Sequence, residues 1–306
     1  MSVAFITHPD CLQHDAGQGH PECPDRLRVI NDQLIASGLE WLLCHYEAPE
    51  ASREQLLRVH DAGYIQRIFD AAPKEGYVKL DPDTIMNPRS LSAALHAAGA
   101  VVLGVDLVMR GETDKVFCNV RPPGHHAERN RAMGFCIFNN VAVGAAHALA
   151  GYGLERVAIV DFDVHHGNGT ENIFRDEPRL LYCSSFQHPF YPYMDFVTQR
   201  RNMIRVPLQA GTGSADFRAA LDKQWWPALE SFKPQLILCS AGFDAHAEDP
   251  LANLRLNEED YAWVTQRIIT AADKYAEGRV ISTLEGGYAL HALGRSVAAH
   301  IKALLG

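Results

Sequence analysis

The sequence predicts an α/β fold, one domain in which a mostly parallel β-sheet lies between layers of helix. Short apolar or β-branched runs alternate along the chain with longer helical patterns. The apolar runs lack polar alternation, as expected of strands covered on both faces. No Ser/Gly-rich linker, low-complexity run or repeat divides the 306 residues, a length that suits one large domain or two small ones.

Taken in order, the first strand is expected at 3–8 (VAFITH), with helical patterns at about 25–38 and 53–72. A third helical pattern covers 90–110. Its apolar stretch, 91–109, is interrupted by His96 and Asp106, so it reads as a buried core helix rather than a membrane span. KVFCNV (115–120) is the second strand and 138–151 the next helix. VAIVDF (157–162), LLYCSSF (180–186) and MIRVPL (203–208) follow as strands, then a helix at 214–231. LILCSA (236–241), a helix at 257–277, VISTLE (280–285) and a closing helix at 291–305 complete the pattern.

Composition narrows the function. A formal charge of −9 with no long basic run argues against nucleic acid as a direct partner, because phosphate binding needs clustered Lys and Arg. Seven cysteines without a CxxC pair imply reduced thiols rather than a disulfide framework. The first residues, MSVAFITHPD, lack a charged-then-apolar leader. Together these lead to the expectation of a soluble, cytoplasmic protein without membrane contact.

Three distant stretches carry the chemistry: RPPGHHAE at 121–128, DFDVHHGNG at 161–169 and SAGFD at 240–244. Asp161, Asp163 and His165 occupy alternate positions after the apolar run 157–160. If the chain stays extended, they share a face and offer two carboxylates and an imidazole to a divalent ion. Burying them without a cation or partners would be costly. Asp244 reads either as a further ligand or as a cap after a strand, since Gly242 precedes it. His125 and His126 follow Pro-Pro-Gly on a rigid loop. Being adjacent, they diverge into separate roles, unless they are themselves a ligand pair or a surface loop. Of His165 and His166, the first is assigned to metal and the second to structure. Tyr288 follows Gly286 and Gly287, whose freedom can set a phenol beside a metal; a packed aromatic is the alternative. Each segment follows the apolar part of a strand, so the polar groups gather at strand C-terminal ends, where open α/β sheets bind ligands.

With these motifs in hand, the chain resembles the histone deacetylase family. That family belongs to the superfamily of arginases, acetoin-utilisation proteins and acetylpolyamine amidohydrolases. GHPECPDR (19–26), VHDAGYI (59–65), GFCIFNN (134–140), DPLANL (249–254) and EGGY (285–288) stand in the family's order. The Asn of HHGNG and LDPDT at 80–84 look more like its class II and bacterial branch. The resemblance implies an arginase/deacetylase-like, three-layer domain around an eight-stranded parallel sheet. It makes Asp163, His165 and Asp244 the ligands of one zinc, or iron(II) in cells. Asp161 would orient His125 and help bind a structural potassium ion with carbonyls around 161–165 and the hydroxyl of Ser184. His126 would be the general base and then acid, with His125 contributing electrostatically, and Tyr288 would stabilise the oxyanion.

Gly134 and Phe135 match the lining of the acyl-lysine channel, with Tyr191 as an opposite wall; either aromatic could instead be core. Arg26 matches an arginine beside an internal cavity behind the zinc, its alternative being a helix-face arginine. Two departures bear on substrate. No glycine lies between 187 and 202, where the family commonly has a glycine-rich run. Leu251 stands where polyamine-selective relatives carry a glutamate. The expected function is a zinc-dependent amidohydrolase acting on acetyl or short-acyl groups of acyl-lysine, as protein, peptide or small acylamine. Alternatives are an acetylpolyamine or acetoin-pathway hydrolase, a catalytically silent acyl-lysine binder, and a two-metal ureohydrolase. Oligomeric state is left open.

Overall fold

A computed structural model of the chain describes residues 3–194 and 200–306; residues 195–199 of the glycine-free stretch 187–202 lie outside the described residues. The strands are β1 (Val3–Thr7), β2 (Leu43–Glu47), β3 (Val78–Lys79), β4 (Ile85–Met86), β5 (Lys115–Cys118), β6 (Val157–Asp161), β7 (Leu180–Gln187), β8 (Met203–Leu208), β9 (Leu236–Ala241) and β10 (Val280–Leu284). Eight of them form one sheet in the order β2-β1-β5-β10-β9-β6-β7-β8. Every pairing in it is parallel, while β3 and β4 make a separate antiparallel pair.

The helices are α1 (Asp25–Ala36), α2 (Arg53–Leu57), α3 (Ala62–Ala71), α4 (Ser90–Met109), α5 (Asn140–Gly151), α6 (Asn168–Phe174), α7 (Ser214–Phe232), α8 (Glu258–Tyr275) and α9 (Leu290–Leu305). Helices α4 and α5 pack together on one face of the sheet, and α1, α7, α8 and α9 cover the other. This is the three-layer arrangement that apolar, non-alternating strands require. Central strands β5, β6, β9 and β10 are buried at every position. Helix α4 is apolar enough to span a membrane, but most of that stretch is buried inside the protein. Its Gly99 approaches the Pro49 carbonyl so closely that a Cβ would stand 1.8 Å from the oxygen.

All seven expected strands are present. The eighth, β2, escaped because it is an edge strand whose sequence, LCHYE, is mostly exposed. The single helix expected over 53–72 is two. Ser52 and Gln55 form a capping box that starts α2, and the chain turns before α3, where Asp61 N donates to Arg129 O at 2.9 Å. The short α6 was also not foreseen.

The topology has one consequence for the site. Strands β5, β10, β9 and β6 are consecutive neighbours and all point the same way. The segments that leave their C-terminal ends therefore meet along one stretch of one rim.

Candidate metal centre and catalytic site

Asp163, His165 and Asp244 bring one donor atom each within 4.8 Å of the others. His165 Nδ1 lies 3.1 Å from Asp163 Oδ1 and 3.2 Å from Asp244 Oδ2. Donors about 2.0–2.1 Å from a tetrahedral centre stand roughly 3.3 Å apart, so these spacings suit one small divalent ion. Backbone amides hold the carboxylates: Gly286 N donates to Asp163 Oδ2 at 2.8 Å, and Val164 N donates to Asp244 Oδ1 at 2.8 Å. The glycines are obligatory here. A Cβ on Gly286 would be 2.0 Å from Asp244 Oδ2, and one on Gly242 would be 2.1 Å from Asp163 Oδ2.

Electrostatics fit the same ion. Burial and the neighbouring Asp163 push the Asp244 carboxyl up to about 7. Burial disfavours charge on His165 too, yet its contacts with Asp163 and Asp244 push it up to about 10. The two acids thus call for positive charge at this spot, which a divalent cation would provide without a proton. Asp244 caps no helix, which sets that alternative aside.

The geometry corrects the expectation that one strand end presents Asp161, Asp163 and His165 together. Strand β6 stops at Asp161. Beyond it the chain turns, with His165 N donating to Asp163 Oδ1 at 2.9 Å. Asp161 stays out of the cluster and faces His125, its Oδ2 3.0 Å from His125 Nδ1. Tyr182 from β7 donates to the same oxygen at 2.7 Å.

The two adjacent histidines separate as expected. Glu285, at the end of β10, accepts from Gly124 N at 2.7 Å and from His125 N at 3.1 Å, fixing their loop. Burial opposes charge on His125, but Asp161, Asp163 and Glu285 outweigh it and hold the imidazole well above its usual range. His126 Nδ1 lies 2.7 Å from Asn168 Oδ1. The Asn168 amide nitrogen donates to Glu128 at 2.8 Å, so its oxygen faces His126 and Nδ1 must be the donor. The lone pair is then on Nε2. Burial, reinforced by His125 and His165, keeps His126 well below its usual range.

Tyr288 is held from two sides. Asp249 Oδ2 accepts from its backbone N at 2.7 Å, and the Arg26 guanidinium lies over its ring, 5.0 Å from the centroid. Burial raises the phenol well above its ordinary value, so it remains a donor.

A model of the histone deacetylase domain matches residues 20–304. The chain belongs to the histone deacetylase family. It is 40% identical to a histone deacetylase-like amidohydrolase of Pseudomonas aeruginosa, over 90% of this chain and 74% of that one. It is 38% identical to polyamine deacetylase HDAC10 of Mus musculus over 100% of this chain, which spans 48% of that protein. The crystal structure of the HDA15 HD domain matches with a TM-score of 0.93 at 34% identity, covering 100% of this chain and 88% of that one.

In this histone deacetylase family member the remaining expected residues fall around the same centre. The backbone at Gly134 and Phe135 adopts φ of 57° and 67°, in the left-handed region that costs a side chain energy. A Cβ on Gly134 would stand 2.4 Å from the His126 ring. That turn brings the Phe135 ring 5.8 Å from that of Tyr288, nearly perpendicular. Tyr191 is edge-on to His126 at 5.1 Å and to His165 at 5.9 Å. It therefore packs on the site rather than in the distant core. Leu251 N donates to Asp249, the residue that holds Tyr288.

Arg26 is fully buried, with Nε donating to Gly287 O at 2.7 Å and a further bond to Glu285 O. It lies on the buried side of α1, turned to the Glu285–Gly287 segment, and not on an exposed helix face. Ser184 lies opposite Asp161 in the β6–β7 register, its hydroxyl 3.0 Å from His166 Nδ1. His166 also meets Glu171, at 2.9 Å, which fits its structural assignment.

Sequence reasoning missed Phe190, stacked on His165 at 5.5 Å, and the supporting groups Asn168, Tyr182, Asp249 and Glu285. Three of these stood inside quoted motifs. A polar residue within a motif that is given no job of its own is the signal that could have found them.

Proposed function

We propose that this chain is a metal-dependent deacylase that hydrolyses acetyl, or another short acyl group, from a lysine-like primary amine. The observation that carries this reading is the pair His125 and His126 beside the Asp163–His165–Asp244 cluster, one on a carboxylate and one on a neutral amide. Those three residues would hold zinc or iron(II), and the ion when bound supplies a Lewis acid beside the acyl carbonyl and lowers the pKa of a water. The chain's own groups do the rest. Neutral His126 takes a proton from the attacking water at Nε2 and returns it to the departing amine. Cationic His125 places positive charge beside the reacting centre. Tyr288 donates to the acyl oxygen as that oxygen becomes negative. Phe135, Phe190 and Tyr191 give apolar walls to a four-carbon amine stem and keep water from it.

Turnover of an acetyl-lysine peptide tests this. Tyr288→Phe should cut kcat by about 10²–10³-fold while metal content stays at the wild-type level. Wild-type turnover in that variant would reject the proposed role of Tyr288. Chelation should abolish activity and added zinc restore it.

A second reading, acetylpolyamine hydrolysis, draws support from the 38% identity to polyamine deacetylase HDAC10. Against it stands Leu251, a neutral side chain where a carboxylate would recognise a second amine. Acetylputrescine run beside the peptide separates the two readings. Peptide binding without acetate release, in zinc-replete protein, would favour a silent binder over both.

A further inference from the structure

We propose that His8, Asp10 and His96 form a second divalent-cation site, separate from the catalytic centre. One donor atom from each lies within 4.8 Å of the others, and all three residues are half-buried. They come from two places in the chain. His8 follows β1, Asp10 lies in the 3-10 turn Pro9–Leu12, and His96 projects from α4. The sheet order puts β1 four strands from β6, which at ~4.8 Å per strand separates the two clusters by roughly 19 Å.

His96 is arranged as a ligand. Its Nδ1 stands 2.7 Å from the Ala48 carbonyl, which can only accept, so Nδ1 carries the hydrogen and Nε2 the lone pair. A backbone carbonyl on the second ring nitrogen is how metal-binding histidines are oriented. Asp10 Oδ2 is steadied by the Ser92 hydroxyl at 2.5 Å. Two further carboxylates flank the rings: Glu47 lies 3.3 Å from His8 Nε2, and Glu50 3.8 Å from His96 Nε2. Both glutamates are exposed and free to swing. Two imidazoles among carboxylates select a borderline ion such as Zn²⁺ over Mg²⁺ or Ca²⁺.

The geometry also says that this site is the weaker one. The His8 and His96 rings are stacked, 3.4 Å between centroids and 10° from parallel. Ring lone pairs lie in the ring planes, so the rings must tilt apart before both can point at one ion. His8 Nδ1 accepts from Asp10 N at 3.1 Å, which leaves the ring hydrogen on Nε2 facing Glu47, so an ion must take the Nδ1 lone pair and displace this bond. The catalytic carboxylates, in contrast, are already clamped by backbone amides.

The test is zinc stoichiometry of the full chain by equilibrium dialysis against rising free zinc. Wild-type protein should bind two ions per chain, the second released first by a mild chelator. His8→Asn with His96→Gln should bind one and keep its deacylase turnover. In that double variant Asn can still accept from Asp10 N and Gln can still donate to Ala48 O, so the fold is spared. Asp244→Asn should lose the tight ion and keep the weaker one, which separates this proposal from the catalytic reading. The second ion should also raise Tm in wild type and not in the double variant. The same number of ions in wild type and in the double variant overturns the proposal, whatever the catalytic cluster holds.

Discussion

His125 and His126 are neighbours in the chain, yet each imidazole meets a different partner across the fold. His125 turns to Asp161, a carboxylate at the end of β6, while His126 turns to Asn168, a neutral amide at the start of α6. Both side chains are buried, so burial disfavours charge on each to a similar degree. The partner then decides. Asp161 and its acidic neighbours overcome the cost of burial at His125, and Asn168 cannot do so at His126. Two residues of one type, in one motif, are thus pushed in opposite directions, which is the division that the proposed fixed charge and base require.

The largest effect should come from removing the proposed base. His126→Ala is expected to lower kcat/KM on an acetyl-lysine peptide by about 10²–10⁴-fold, with metal content unchanged. His125→Ala should cost less, because it removes charge stabilisation but leaves proton transfer in place. Equal losses in steady-state assays of the two variants would show that the partner difference does not divide the roles.

A third histidine sharpens the comparison through stability. His60 braces the far end of the same loop: its Nδ1 donates to Glu128 O at 3.0 Å, and its Nε2 accepts from Asn139 N at 3.0 Å. With no acid beside it, burial pushes it from 6.5 down to about 4. The unfolded chain takes up this proton near 6.5 and the folded chain only near 4. The contribution of His60 is therefore complete above about 6.5 and is lost as pH falls towards 4, a change of about 3 kcal/mol. Urea unfolding of wild type and His60→Gln across that window should give a shallower pH slope for the variant. Parallel slopes would mean that the fold does not hold this ring neutral.

How much of this was legible beforehand follows from the same physics. Strands buried on both faces announce themselves as unbroken apolar runs, so the central sheet and the rim that carries the motifs could be read directly. Strand β2 could not, because an edge strand with His45 and Glu47 exposed looks like loop. The candidate ligands Asp163 and His165 are two residues apart, and their types point to them. Asn168, in contrast, acts on a ring 42 positions earlier in the chain. Glu285 reaches back to Gly124 and His125, and Asp249 reaches forward to Tyr288. A polar residue left idle in a motif hints that such a contact exists, but nothing local names its partner. Resemblance to a family supplied the roles proposed for the principal residues, and only the folded geometry supplied the groups that hold those residues in place.

The smallest expected effect tests the support beneath His125. Tyr182 donates to the Asp161 oxygen that faces His125 Nδ1, and its hydroxyl is also 3.2 Å from Gly167 O. A hydrogen bond to a buried carboxylate fixes which way that carboxylate points and so where the imidazole sits. Tyr182→Phe keeps the ring and deletes only the hydroxyl. Since the Asp161 charge remains, turnover should fall about three- to tenfold, the scale of one hydrogen bond of roughly 1 kcal/mol. KM and metal content should hold, because Tyr182 touches neither the channel walls nor the Asp163–His165–Asp244 cluster. If turnover stays at the wild-type level, Asp161 needs no such support to hold His125. If KM or metal content falls with it, Tyr182 serves the whole rim rather than one of its two histidines.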